Sequence, residues 1–113
     1  MNISVDTAFG ELRSSLETWA RARPATHLVP LDEAGPGDVV FTTMTDCSPH
    51  ECRYYAIKGR KLVILAALPS DRSRDLYLAA GAAAYVPMDV GTAVLEAAIQ
   101  VALAHEPAAD AVT

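Results

Sequence analysis

Apolar residues fall into two rhythms along the chain, and the switches between them mark out the elements. Leu62 to Leu68 is a continuous apolar run, too short to span a membrane and of the length of a strand buried on both faces. Pro69-Ser70-Asp71 breaks the run and offers helix-capping side chains. A short helix follows and stops at Gly81, since glycine readily takes the left-handed conformation that ends helices. Ala84-Tyr85-Val86 makes another short strand, and Gly91-Thr92 opens a last helix reaching about His105. Toward the N-terminus, Asn2 to Asp6 reads as a strand with Ile3 and Val5 as its apolar members. Phe9, Leu12, Leu16, Trp19 and Ala20 recur at helical spacing, which predicts an amphipathic helix over residues 8–22, stopped by Pro24. Thr26 to Leu31 predicts a second strand, and Asp38 to Thr43 a third with Val39 to Phe41 as its buried centre. At most one helical turn fits into Asp32 to Gly37, so the crossover between those strands is unusually short. Ser48-Pro49 then places a cap before a first-turn proline, opening a helix over Glu51 to Lys58 that Gly59 terminates. Strands alternating with helices over short connections predict an α/β domain, a parallel sheet with helices on both faces.

Composition narrows the picture. A chain of 113 residues, 51% hydrophobic, is enough for one compact domain and not for two. The net charge of −5 excludes the basic stripe that a nucleic-acid-binding domain needs. Arg21/Arg23, Lys58/Arg60/Lys61 and Arg72/Arg74 read as solvated helix ends. MNISVDTAFGELR has neither a basic nor an apolar signal segment, and two cysteines in such a chain suggest a reducing cytoplasm and no membrane partner. Residues 1–106 are expected to form the domain. Residues 107–113, from Pro107 on, read as the start of a linker or a trimmed end.

Certain stretches carry a resemblance. LVILAA (62–67), AAGAAAYVPMD (79–89) and VLEAAIQVALA (94–104) resemble the fourth strand, the Gly-Ala-x-x-Tyr fifth strand and the last helix of response-regulator receiver domains. GDVVFTTM (37–44) is similar to their third strand, and SVDTAFGELRSSLETW (4–19) to their first strand and helix. The resemblance implies a flavodoxin-like, doubly wound, five-stranded parallel sheet of order 2-1-3-4-5, here with a shortened second crossover. AIQVALAHEPAADAVT (98–113) is similar to the place where receivers of the NarL/LuxR type pass into a linker before a helix-turn-helix output domain.

The resemblance also says which positions ought to carry chemistry. A working receiver takes a phosphoryl group onto an aspartate at the end of strand three. An acidic pair after strand one holds magnesium through oxygen ligands. A hydroxyl after strand four and a lysine after strand five neutralise the phosphoryl oxygens. On this sequence the nucleophile position is Thr43, the acidic pair is Asp6-Thr7, the hydroxyl position is Ala66 and the lysine position is Met88. Only Asp6 survives. Threonine forms no acyl phosphate, alanine donates no side-chain hydrogen bond and methionine carries no charge. Asp46, three residues past the nucleophile position, is placed in a loop away from the missing groups.

The expectation is therefore an atypical receiver, a phosphorylation-independent regulatory and dimerisation module of a transcriptional response regulator. It would need no cofactor and meet DNA only through an output domain absent from these residues. The last helix is apolar around much of its circumference, which marks a helix deeply buried or partnered. Tyr77, Tyr85, Leu95 and Ile99 are the residues expected at a homodimer interface. A different reading is a small-ligand sensor, binding beyond the carboxyl ends of the strands in a crevice lined by Asp6, Thr7, Thr42, Thr43, Thr45, Ala66 and Met88. A remote one is a thiol or metal sensor built on Cys47, His50 and Cys52, whose spacing matches no standard zinc ribbon. No Gly-rich phosphate loop or nucleophile–base pair points to an enzyme.

Overall fold

The computed structural model describes residues 1–88 and 91–105. Strands β1 (Asn2–Asp6), β2 (His27–Leu28), β3 (Val39–Thr43), β4 (Lys61–Ala66) and β5 (Ala84–Pro87) form one parallel sheet in the order β2-β1-β3-β4-β5. Helices α1 (Gly10–Ala22), α2 (Pro49–Ile57), α3 (Asp71–Ala79) and α4 (Thr92–Ala104) connect or follow them. The register runs Asp6 beside Thr42, Thr43 beside Leu65 and Ala66 beside Pro87, which brings four strand ends together at one edge of the sheet. The linker expected over residues 107–113 lies outside the described residues.

Strand periodicity divides the interior into two cores. Val39, Phe41, Val63 and Leu65 face α1 and α4, where Leu12, Leu16, Ala20, Leu95, Ala98, Ile99 and Ala102 close over them. Val40, Leu62 and Ile64 point the other way, onto Cys52, Ala56, Tyr77 and Ala80 of α2, α3 and the turn beyond. Every residue of β4 after Lys61 is buried, which is why its sequence reads as a continuous apolar run rather than an alternation. A bidentate pair, Arg23 Nε and Nη2 to the Glu96 carboxylate at 2.6 and 2.8 Å, ties the end of α1 to α4.

Several boundaries differ from expectation for visible reasons. The second strand is only His27–Leu28, because Ala25 takes a positive φ of 54° before it and Pro30 follows closely after. The short crossover is real: a single 3-10 turn at Leu31–Glu33 replaces a helix between β2 and β3. Phe9 does not join the apolar stripe of the first helix. It is the N-cap residue of α1 and is 45% exposed. The fourth strand ends at Ala66, so Leu68 projects into solvent beyond it, 87% exposed. Ser48, Pro49 and Glu51 do start α2, through a reciprocal capping box. No helix among the described residues is long and apolar enough to cross a membrane.

Candidate functional site

Parallel strands deliver their last residues to a common edge, and the loops that leave them build whatever site the fold carries. Asp6 ends β1, Thr43 ends β3 and Ala66 ends β4. Met88 follows β5, its amide bonded to the Ala66 carbonyl at 2.8 Å. Thr7 and Ala66 are buried, Asp6 and Met88 partly so. The positions that the receiver resemblance singles out thus converge in space, and they hold one carboxylate, two hydroxyls, a methyl and a thioether.

Asp46 organises this edge, and the sequence reading had set it aside. The Thr43 hydroxyl donates to its Oδ2 at 2.6 Å, and the Ala8 amide donates to its Oδ1 at 3.0 Å. Its own amide donates back to Thr43 Oγ1 at 3.1 Å. The loop after β3 is thereby tied to the loop after β1, across the gap where a receiver's metal and phosphoryl group would sit. Burial pushes the Asp46 carboxyl up, but hydrogen bonds from Thr43, Thr7 and Ala8, with the Arg13 charge, outweigh it and hold it below its ordinary value. Asp6 moves the other way: burial and the neighbouring Asp46 charge raise it, against the weaker pull of Arg13. The Thr42 hydroxyl lies near Asp6 but outside hydrogen-bond geometry, buried and without a partner. The spacing of Asp46 three residues after a threonine was the available signal, because such pairs bond locally.

Beside this bridge opens a crevice of about 380 Å³. Its walls come from every loop at the edge: Phe9 before α1, Thr43, Met44 and Thr45 after β3, Leu65, Ala67 and Leu68 at the end of β4, and Met88. Thr43, Thr45 and Met88 belong to the lining read from the sequence. Asp6, Thr7, Thr42 and Ala66 do not line it. Thr42 and Ala66 are buried in the sheet, and Asp6 faces a separate depression with Arg13 and Glu17. The crevice is therefore more apolar than expected, with Phe9, Met44, Leu65 and Leu68 in place of the acid and the inner hydroxyls.

The expected interface residues are corrected by burial. Leu95 and Ile99 are fully buried against the sheet, and Tyr77 is 3% exposed, so none of the three is open to a partner. Tyr77 instead donates its hydroxyl to the Cys47 carbonyl at 2.6 Å. Tyr85 is half-buried, stacked on Tyr77 with its hydroxyl against Met44 Sδ at 3.4 Å. The apolar residues that α4 and β5 leave outward are Val86, Pro87, Ala93, Val94, Ala97 and Val101, around a shallow depression of about 360 Å³. Cys47 and Cys52 are free and buried while His50 is exposed, and among the described residues no three His, Cys, Asp or Glu side chains form a metal-holding group. Burial pushes the Cys47 thiol up to about 12 and that of Cys52 to about 11, the opposite direction from the lowered value of an activated thiol.

No family model matches the chain, and no curated protein matches its sequence. Solved structures do. The receiver domain of the response regulator NarL from Mycobacterium tuberculosis superposes with a TM-score of 0.69 at 14% identity, over 92% of this chain and 97% of that domain. The response regulator ChrA of a heme-sensing two-component system superposes with a TM-score of 0.67 at 18% identity, over 90% of this chain. The matched region spans 56% of the ChrA chain. Strand order, register and these superpositions agree that the chain has the fold of response-regulator receiver domains.

Proposed function

We propose that this receiver-fold domain is a regulatory module that works without aspartyl phosphorylation and pairs with a second copy of itself. The observation that carries the reading is Thr43. It occupies the nucleophile position at the end of β3, and its hydroxyl is already donated to Asp46. Among the described residues the ends of β4 and β5 hold Ala66 and Met88, which supply neither the hydroxyl nor the cation that transition-state charge in phosphoryl transfer needs. Asp46 is no substitute, since both of its oxygens are committed to protein donors.

The pairing surface is the outward face of α4 with the end of β5. Val101 is 53% exposed, and Ala93 and Ala97 are exposed on the same helix face. β5 is an edge strand, but it ends in Pro87, which has no amide to donate, so strand addition there is blocked and helix packing is left. Joined to DNA-binding output domains in a longer regulator, such pairs would set two of them on paired half-sites.

Incubation with acetyl phosphate and magnesium, followed by intact-mass spectrometry, tests the chemistry. The wild-type mass stays unchanged, and so does that of Thr43→Asp, because restoring the nucleophile alone leaves Ala66 and Met88 in place. A gain of one phosphoryl group in the wild type would overturn the reading.

A further inference from the structure

We infer that the crevice at the carboxyl ends of the strands is a binding site for an uncharged, largely apolar small molecule. The inference is independent of how the domain pairs. At about 380 Å³ the crevice has the size of sites that take small organic ligands. Among the described residues no charged side chain lines it, and the Thr43 hydroxyl donates its hydrogen bond to Asp46. An anion would meet no cation among these residues, only the Thr45 hydroxyl beside apolar groups, and a cation would lose its hydration for thioethers and methyl groups.

The walls favour a compact molecule over a protein segment. They rise from the loops after β1, β3, β4 and β5 and so enclose a hollow, whereas a docking helix or strand needs a groove open along its length. Two large apolar side chains stand at the rim, Phe9 at 45% exposure and Leu68 at 87%. Exposed apolar surface gathered at one concave place marks a binding site more than scattered exposure does. Met44 and Met88 face the same hollow, and unbranched thioethers adapt to an apolar body and bind aromatic edges well.

The probe is N-phenyl-1-naphthylamine, uncharged and fluorescent in apolar surroundings, titrated into protein carrying methyl-13C methionine. Saturable one-to-one binding is expected, with the Met44 and Met88 methyl resonances shifting and that of Met1 unmoved. Met88→Glu puts a charge in the hollow and weakens binding roughly tenfold or more, Leu68→Ser weakens it less, and Ile57→Ser, exposed at the end of α2, leaves it unchanged. Should Met88→Glu fail to fold, the wild-type methyl shifts decide alone. Non-saturable fluorescence, methyl resonances that stay put, or binding lost on Ile57→Ser instead would each overturn the site.

Discussion

Asp6 and Asp46 are two carboxylates at one edge of the sheet with opposite roles, and the difference is a matter of donors. Asp46 receives hydrogen bonds from Thr43 and Ala8 and is held below its ordinary value of 3.8. Its stabilising contribution is present above 3.8 and is lost as pH falls through the lowered value. Asp6 is raised from 3.8 by burial and by the Asp46 charge. Its contribution has the other sign: present below 3.8, it is lost as pH rises through the raised value. Asp6→Asn is therefore expected to raise the unfolding free energy measured in urea at pH 7, by a few tenths to about 1 kcal/mol because a half-exposed carboxylate is screened. The gain should shrink as pH falls toward 3.8. A variant less stable than wild type at pH 7 would show that Asp6 makes a favourable contact that this account lacks. The place of these residues was legible in the sequence to the extent that strand ends follow from the apolar pattern: Thr43 ends β3, Ala66 ends β4 and Met88 follows β5. The role of Asp46 was not, because a loop residue's bonds depend on where a second loop, here at Ala8, is delivered by the fold.

At the scale of elements, the glycine turn after α3 sets how closely α3 approaches α2. Gly81, after α3, has φ of +103°, and a Cβ there would lie 2.8 Å from the Ala56 Cβ of α2. Gly81→Ala thus combines backbone strain with a clash between neighbouring helices on one face of the sheet, an expected loss of about 2–3 kcal/mol. Gly37 has φ of +85° but open space around it, so Gly37→Ala should lose only the strain, about 1 kcal/mol. Urea unfolding of both variants checks this, and equal losses would mean that the α2–α3 approach is looser than described. Elements marked by strong periodicity or caps, such as β3, β4 and α2, were readable because buried strands and capping boxes are local signals. β2 was overextended from its apolar pair Leu28-Val29, since the positive φ at Ala25 has no alphabetic mark. α4 was read as surplus in apolar residues, but in a helix its faces cannot be assigned until the sheet it covers is known. Leu95, Ala98, Ile99 and Ala102 proved to be the inward face, leaving Ala97 and Val101 outward.

At the scale of the molecule, apolar concavities among the described residues include the crevice at the strand ends and the outer face of α4 with β5. They adjoin at the end of β5, where Pro87 borders the second and Met88 the first. The first suits a small molecule and the second a flat partner, so a ligand could bias pairing only if the paired and unpaired states bind it differently. The central claim is that pairing needs no phosphoryl group, and Val101→Asp places a charge at the centre of the proposed face. Sedimentation velocity over a concentration series, with and without acetyl phosphate and magnesium, tests it most directly. The account predicts a wild-type dimer indifferent to both additions and a monomeric Val101→Asp. A wild-type monomer that dimerises only with the phosphodonor would contradict it.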